Sequence, residues 1–342
     1  MTKQNVLITC GGKWAGIVCQ MRSSMRLVPQ LRAGQLCVAD AEAITSAGVF
    51  ADRQFVVPRI ADENYISSLL ELCESAQIRV LVPRVDVDMI RLAPYVEEFR
   101  RRGTTIVVPT VETVHLCFDK TEFDQFAEQH GIRVPRSVTA ASVAEAQYPI
   151  FFKRRCGFGS IGSGIARTAE EALIAQANDS DLIFQEFFAA SELSVDAFIS
   201  HTGSPVYAVQ RVRDKVLGGE AVRSHTVKNR SIGDTALELL MALAHRGLSG
   251  PVNLQMFASD PPAVFDVNPR LGSASVLSNV ATGGRLFAAV LQEACGGTAQ
   301  SLSVDDYEEG LFLYRYFGDV FYRADGSSQL TTPPCASHEV ER

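Results

Sequence analysis

Short apolar runs alternate with amphipathic stretches through the first third of the chain. The runs are 5–10 (NVLITC), 35–40 (QLCVAD), 54–59 (QFVVPR), 79–84 (RVLVPR) and 104–110 (TTIVVPT). Between them, apolar residues recur at helical spacing over 14–30, 62–76 and 86–102. Strands that alternate with helices form a parallel sheet covered on both faces. Residues 1–112 are therefore predicted to form a Rossmann-like domain.

The turn after the first run lacks a dinucleotide fingerprint. It reads C-G-G-K-W over 10–14, not G-x-G-x-x-G, which disfavours a dehydrogenase. Two interpretations stay open. The turn either has a structural or substrate-facing role, or it holds a small anionic group near the N-terminus of the next helix.

The pattern changes after residue 110. A helical stretch over 111–130 ends at Gly131, and a helix-like segment follows at 140–147. Strands are then predicted at 148–155, 181–188, 192–200, 205–213, 250–259 and 263–268. Helices are predicted at 168–178, 234–246 and 285–294, and a further strand within 307–323. A tail rich in Ser, Thr and Pro over 325–342 is predicted to be disordered.

Composition narrows the class of protein. The 342 residues are 46% hydrophobic and 21% charged, as in a globular protein of two or three domains. A net charge of −7 makes nucleic acid a poor partner. No long apolar run follows a basic stretch near residue 1, so we expect no secretory signal. No stretch of 18 apolar residues occurs, and the eight cysteines form no C-x-x-C pair. We expect a cytoplasmic protein with reduced thiols and no membrane partner.

A glycine-rich segment follows the basic end of one predicted strand. Four glycines, including Gly157 and Gly159, alternate with serines such as Ser160 over 156–167. Such a backbone can approach a phosphate closely, and Lys153 at the end of the strand can reach a phosphate oxygen. No G-K-[S/T] follows, so this is not a Walker A loop, and a flexible linker is the alternative.

Two neighbouring strands carry polar residues on one face. Gln255 lies in NLQMF, and Asp266 and Asn268 alternate in FDVNPR, with an Asp-Pro-Pro turn between the strands. If the strands form a hairpin, the three side chains converge and present oxygen ligands suited to Mg²⁺ or Mn²⁺. Arg270 just beyond them could stabilise a phosphoryl or acyl phosphate group. The alternative is a polar hairpin end with a structural arginine.

An adenine site is predicted where DLIFQEFF is followed by SELSVD. An apolar slot with backbone hydrogen bonds suits adenine, and a carboxylate suits the ribose hydroxyls. The slot is placed at residues 185–188, and the ribose contact at Glu192. The four slot residues are Gln185, Glu186, Phe187 and Phe188. Two ordinary sheet strands remain the alternative.

The segment 211–227 is a candidate for binding a substrate carboxylate. It carries Arg211, Arg213, Arg223 and His225. Arg223 is predicted to be a catalytic residue, so Arg223→Ala should raise the KM for the carboxylate or abolish turnover. The alternative is a solvated loop hinged at glycines.

These motifs, in this order, resemble the ATP-grasp superfamily. The match runs through Asp119-Lys120, FFKRRCGFGSIGSG, IFQEFF, ELSVDAF, NLQMF and FDVNPRLGSASVLSNVATG. It is most similar to single-module relatives of the carbamoyl phosphate synthase large subunit, over about residues 1–320. Gln255 is shared with that branch, whereas Asp266 stands where Glu is common.

The resemblance implies a fold, α/β and α+β, in which a Rossmann-like pre-ATP-grasp domain (1–112) precedes an ATP-grasp fold. A helical linker (113–146), a small lid (147–205) and a central catalytic subdomain (206–324) would follow. It implies ATP between two antiparallel sheets, with phosphates on Lys120 and Lys153 and Mg²⁺ on Gln255, Asp266 and Asn268. It also implies a possible homodimer.

Three functions compete on this evidence. The first is a ligase that activates a carboxylate as an acyl phosphate and couples it to an amine. The second is a bicarbonate-activating carboxylase or carbamoyl-type subunit, and the third is a non-catalytic nucleotide-binding regulator. The first is favoured, with small-molecule substrates that the sequence does not identify.

Overall fold

The computed structural model describes residues 4–139, 142–157, 159–299, 303–316, 318–323 and 328–330. The strands are β1 Asn5–Thr9, β2 Leu36–Asp40, β3 Arg53–Val56, β4 Ile78–Val82, β5 Thr105–Ile106, β6 Ser137–Val138, β7 Ile150–Arg154, β8 Gly164–Ala166, β9 Leu182–Glu186, β10 Glu192–Ile199, β11 Pro205–Leu217, β12 Glu220–Thr226, β13 Gly250–Phe257, β14 Ala263–Asn268, β15 Phe312–Tyr314, β16 Val320–Tyr322 and β17 Ser328–Leu330. The helices are α1 Ala15–Met25, α2 Tyr65–Ser75, α3 Asp86–Leu92, α4 Val96–Arg101, α5 Val111–Phe118, α6 Lys120–Gln129, α7 Ala169–Asn178, α8 Arg230–His245, α9 Ser275–Ala281 and α10 Arg285–Ala294.

The N-terminal domain is a parallel sheet in the order β3-β2-β1-β4-β5. Every side chain of β1 is buried, because apolar clusters cover both faces of the sheet. The predicted Rossmann-like arrangement is confirmed. The strand order reverses between β1 and β4, and such a point opens a crevice beyond the carboxyl ends of the strands. The turn at Gly11 and Gly12 and the segment that begins at Arg84 border this crevice.

Two further sheets face each other in the rest of the chain. The larger has the order β14-β13-β10-β11-β12-β15, and α8 packs its apolar face against it through residues such as Leu239 and Leu243. The smaller has the order β6-β9-β7-β8, and α7 contributes Ala172 to the apolar cluster on one of its faces. The other face of the smaller sheet carries Lys153, whose ammonium reaches the carbonyl of Phe265 on β14 at 2.8 Å. This contact joins the facing sides of the two sheets, and the space between these sides is called the cleft below.

Several predicted boundaries are wrong. The lid predicted over 147–205 included 192–199, but β10 pairs with β11 and β13 in the larger sheet. The segment 211–227, for which a solvated loop was the alternative to carboxylate binding, forms the greater part of a long hairpin of β11 and β12.

Predicted helices were also too long. The helix predicted over 86–102 divides around a 3₁₀ turn containing Pro94, which cannot donate a backbone hydrogen bond. The helix predicted over 111–130 breaks at Asp119, which caps α6 by accepting hydrogen bonds from two of its backbone N–H groups. The helix predicted over 14–30 ends at Met25. Of the segment predicted as helix-like over 140–147, residues 142–147 are described, and Val143–Glu145 among them form a 3₁₀ turn.

The C-terminal prediction is wrong for three residues. Ser328–Leu330 form β17, which pairs with β16, whereas 325–342 were predicted to be disordered. Residues 325–327 and 331–342 lie outside the described part of the chain. Within the described ranges, no helix is both long and apolar enough to span a bilayer.

Candidate nucleotide and metal site

One carboxylate and two amides converge where β13 and β14 pair. Gln255 lies opposite Asp266 in the register, and Asn268 is two residues further along β14 on the same face. One oxygen of Asp266 accepts hydrogen bonds from Gln255 Nε2 at 3.1 Å and from Asn268 Nδ2 at 2.8 Å. The predicted convergence of these three side chains is confirmed. Their role as metal ligands stays a prediction.

Two lysines bring positive charge to the same cluster. Lys120, the first residue of α6, lies 3.6 Å from Asp266 Oδ1 and donates to the carbonyl of Gly157 at 3.0 Å. Lys153 is almost fully buried, and this burial lowers its pKa, while the nearby Asp266 opposes the shift. Lys120 therefore joins the glycine-rich loop to the carboxylate.

Arg270 is held by a residue of the N-terminal domain. Its guanidinium donates two hydrogen bonds of 2.8 Å to the two oxygens of Asp86, and one of 3.1 Å to Asn268 Oδ1. Burial opposes the charged form of Arg270, but the Asp86 carboxylate outweighs this effect and raises its pKa. Sequence analysis missed Asp86. The available signal was its place just after β4, at the point where the strand order reverses.

The residue types around Asp266 fit a divalent cation shared with phosphates. Mg²⁺ takes one or two carboxylates plus phosphate oxygens and waters, and amide carbonyls are also suitable oxygen ligands. In the described ranges, no group of three or more His, Cys, Asp or Glu could hold a metal by itself. Both amides now turn their nitrogens toward Asp266. To bind a cation, they would have to turn their carbonyl oxygens inward.

The predicted adenine segment borders the cleft, but its residues differ in position. Gln185 lies on the cleft side of β9, because it pairs beside Phe151 on the same face as Lys153. Glu186 points to the other face, and its carboxylate accepts a hydrogen bond from the backbone N–H of Arg136 at 2.9 Å. The side chain of Glu186 is thus turned away from the predicted nucleotide, which leaves only its backbone as a contact.

Aromatic rings close one end of this segment. Phe188 stacks on Phe257 with ring centroids 4.7 Å apart and planes 3° apart, and Phe257 also contacts Phe265. Phe187 is exposed. Glu192, predicted to bind ribose, accepts a 3.0 Å hydrogen bond from Arg213. These rings form an apolar cluster beside the segment, and the adenine and ribose contacts stay predictions.

The glycine-rich loop meets the tip of the β11–β12 hairpin. Gly159 and Ser160 both have positive φ angles, of 65° and 58°. A Cβ atom added to Gly219 at the hairpin tip would lie 2.8 Å from Ser160 Oγ. Arg213 donates to the Gly219 carbonyl at 3.1 Å, which fixes the tip. The loop and the tip together cover the cleft near Lys120.

Three further arginines, Arg84, Arg211 and Arg315, lie near Arg270. Arg211 is 2% exposed, pairs with Asp196 at 2.8 Å and leaves Nη1 without a hydrogen-bond partner. Arg84 is also 2% exposed, donates to the carbonyl of Leu271 and leaves Nε unpartnered. Burial, with the nearby Arg270, lowers the pKa of Arg84 to about 9. Buried donors without acceptors are costly, so they mark a place where an acceptor would bind favourably.

Arg315 completes this group. It donates to the carbonyl of Ser273 at 2.5 Å and pairs with Glu220 at 3.3 Å. Its charge helps to lower the pKa of Arg84, although burial and the nearby Arg270 have larger effects. Burial is also the main reason why the pKa of Arg315 itself is lowered. Sequence analysis missed Arg84 and Arg315, because neither lies in a motif and only tertiary contacts bring them to Arg211.

The structure does not bring Arg223 to the site. Arg211 pairs with Thr226 across the β11–β12 hairpin, so Thr226 lies on the site face of the sheet. Side chains alternate along β12, which puts Arg223 and His225 on the opposite face. Arg223 is exposed, and His225 contacts Asp214 at 2.9 Å and stacks on Phe312. The selection of Arg223 as a catalytic residue is therefore wrong.

Comparison with known protein families agrees with this geometry. Residues 6–107 match the PylC-like N-terminal domain, and residues 117–274 match the ATP-grasp domain. The large chain of carbamoyl phosphate synthase from Methanothermobacter thermautotrophicus is 23% identical over 240 residues. This match covers 60% of the chain and 22% of that relative, so the chain spans about a fifth of its length.

Two solved structures share the fold. An L-amino acid ligase from Bacillus licheniformis has a TM-score of 0.66 at 17% identity, over 86% of this chain and 74% of that one. The biotin carboxylase domain dimer of Hydrogenobacter thermophilus 2-oxoglutarate carboxylase, in complex with MgADP, ADP and bicarbonate, has a TM-score of 0.70 at 12% identity. That likeness covers 97% of this chain and 84% of that one. By these matches, the chain carries an ATP-grasp domain over residues 117–274, preceded by a PylC-like N-terminal domain over residues 6–107.

Proposed function

We propose that the protein is an ATP-dependent ligase that converts a carboxylate to an acyl phosphate and couples it to an amine, with release of ADP and phosphate. The observation that carries the proposal is the cluster of Gln255, Asp266 and Asn268 between two sheets, with Lys120 and Arg270 in contact with it. One carboxylate ringed by amides and cations suits a divalent ion bound to a triphosphate.

The chemistry divides among these residues. ATP lies in the cleft with adenine against residues 185–188, ribose near Glu192 and phosphates between Lys120, Lys153 and the glycine-rich loop. Asp266, Gln255 and Asn268 would hold a magnesium ion, which would neutralise charge on the phosphates when bound. A carboxylate oxygen of the substrate attacks the γ-phosphorus as the bond to ADP breaks, and Arg270 stabilises the transferred phosphoryl group.

The second step needs no nucleophilic side chain. An amine attacks the acyl carbon, loses a proton and displaces phosphate. The buried Arg84 and Arg211 and the partly exposed Arg315 form a group with Arg270 and are suited to hold the substrate carboxylate, because the first two have unpartnered donors. They therefore replace Arg223 as the proposed carboxylate contacts.

A screen of ADP release tests the proposal. Amino acids and small carboxylates are supplied in pairs with MgATP, and products are identified by mass spectrometry. With an ¹⁸O-labelled carboxylate, one labelled oxygen should appear in the released phosphate. ADP release that needs bicarbonate alone would favour the carboxylase alternative. Nucleotide binding without ADP release for any pair would favour a regulator.

A further inference from the structure

A buried carboxylate lies beside the predicted adenine segment, on the same face of β9 as the Gln185 side chain. Asp124 on α6 is 5% exposed, and its Oδ2 accepts a 2.7 Å hydrogen bond from Nε2 of Gln185. Gln185 is 1% exposed. The other oxygen of Asp124, Oδ1, is buried without a partner. The lysine of the adjacent strand, Lys153, donates to Phe265 rather than to Asp124.

This contact fixes which end of the Gln185 amide faces the cleft. An ionised carboxylate can only accept hydrogen bonds, so the amide must turn its NH₂ group toward Asp124. Its carbonyl oxygen then points away from Asp124. Because Gln185 lies on the cleft face of β9, that oxygen is the group left for a nucleobase. A glutamine without such a neighbour could present either end.

We propose that Asp124 is a positioning residue that sets the base preference of the nucleotide site. By holding Gln185 in one orientation, it presents an acceptor to a base that carries an exocyclic amino group at position 6, as adenine does. Guanine and hypoxanthine carry a carbonyl oxygen at that position. This oxygen and the Gln185 oxygen are both acceptors, so no hydrogen bond could form between them. The inference rests on the proposed placement of the nucleotide along residues 185–188.

The charge of Asp124 sets the conditions of the test. Burial raises its pKa to about 7, opposed by Lys153 and Lys120 and reinforced by Glu128 and Asp266. Measurements at pH 8 keep the carboxylate ionised, so that the amide orientation follows from the acceptor alone. ATP and ITP are the matched probes: ITP carries an oxygen in place of the 6-amino group and a hydrogen on N1. The N1 difference is common to every variant, so a change in the affinity ratio between variants reports on the contact at position 6.

Calorimetric affinities for ATP and ITP then test the role of Asp124. We expect the protein to prefer ATP, and Asp124→Asn to lower the ratio of the two affinities about tenfold, since an asparagine can pair with either end of Gln185. In a Gln185→Met background, Asp124→Asn should change the ratio no further. Glu128→Gln, an exposed carboxylate on the same helix, is the control and should leave the ratio as it was.

The outcomes separate this inference from the proposed function. An Asp124→Asn protein that binds ATP with an unchanged ATP-to-ITP ratio overturns the role of Asp124, because a purely structural carboxylate would affect both nucleotides alike. If Asp124→Asn does not fold, Gln185→Met decides: an unchanged ratio overturns the inference. Failure of the unmodified protein to bind either nucleotide would overturn the proposed function as well.

Discussion

Replacing Asp86 by Asn should damage both stability and turnover, because Asp86 is the partner of Arg270. The pair joins the N-terminal domain to the end of β14 by two hydrogen bonds of 2.8 Å. The side chains are 11% and 18% exposed, so solvent screens the pair only weakly. Removing one partner of a buried pair costs about 3–5 kcal/mol. Because the pair retains some exposure, we expect a loss of about 2–3 kcal/mol in the free energy of unfolding.

The effect on turnover has a separate cause. Without Asp86, Arg270 is free to leave the position beside Asn268, and a displacement of about 1 Å at a reacting group can lower the rate about 100-fold. Urea unfolding and ADP release measure the two effects. The double variant of Asp86→Asn with Arg270→Met should be much less destabilised than the sum of the single variants.

An exposed ion pair supplies the control. Glu97 pairs with Arg100 on the surface of α4, and Glu97→Gln should leave the urea midpoint and turnover unchanged. If Asp86→Asn behaved like Glu97→Gln, or if the double variant showed simple additivity, the coupling of Asp86 to Arg270 would be refuted.

Three further changes have definite expected results. Arg223→Ala should leave KM and turnover unchanged in steady-state assays, because Arg223 lies on the sheet face opposite the site, and a raised KM would contradict that placement. Gly219→Ala should lower turnover about tenfold more than the control Gly203→Ala. Both glycines have a positive φ, but only a side chain at residue 219 would crowd Ser160, so equal effects would contradict the contact between loop and hairpin. Burial raises the pKa of Asp88 to about 6, while its hydrogen bonds from Thr9 and Tyr65 oppose the shift. Between about pH 4 and pH 6, Asp88 therefore stays protonated in the folded chain but loses its proton in the unfolded chain. Raising the pH through this range should lower the free energy of unfolding by about 3 kcal/mol relative to that of Asp88→Asn. Above about pH 6, the difference between the two proteins should change no further. Urea unfolding at several pH values measures the difference, and a difference that rises with pH would contradict the sign.

Local patterns correctly predicted the hairpin that carries Gln255, Asp266 and Asn268. Period-two alternation in NLQMF and FDVNPR, with an Asp-Pro-Pro turn between them, is enough to predict that Gln255, Asp266 and Asn268 share a face. The same alternation along β12 separates Arg223 from the site face, but the sequence analysis did not assign a strand to residues 214–227. Its glycines, Gly218 and Gly219, mark a hairpin turn rather than an irregular hinge.

Contacts between residues that are far apart in the chain could not be predicted from local sequence patterns. Asp86 and Arg270 are 184 residues apart, and no local periodicity relates them. The assignment of β10 to the larger sheet likewise depends on pairing with β13, more than 50 residues later. Gln185 was predicted as an adenine contact, yet its partner Asp124 lies 61 residues away on α6, and no local pattern places that helix against β9.

The central claim is that Asp266 and its two amide neighbours bind a divalent cation on the phosphates of ATP. Calorimetry of ATP binding with and without Mg²⁺, for the unmodified protein and for Asp266→Asn, tests it most directly. We expect Mg²⁺ to strengthen ATP binding to the unmodified protein, and Asp266→Asn to retain Mg-free binding while losing that enhancement. The same enhancement by Mg²⁺ in both proteins would contradict the claim.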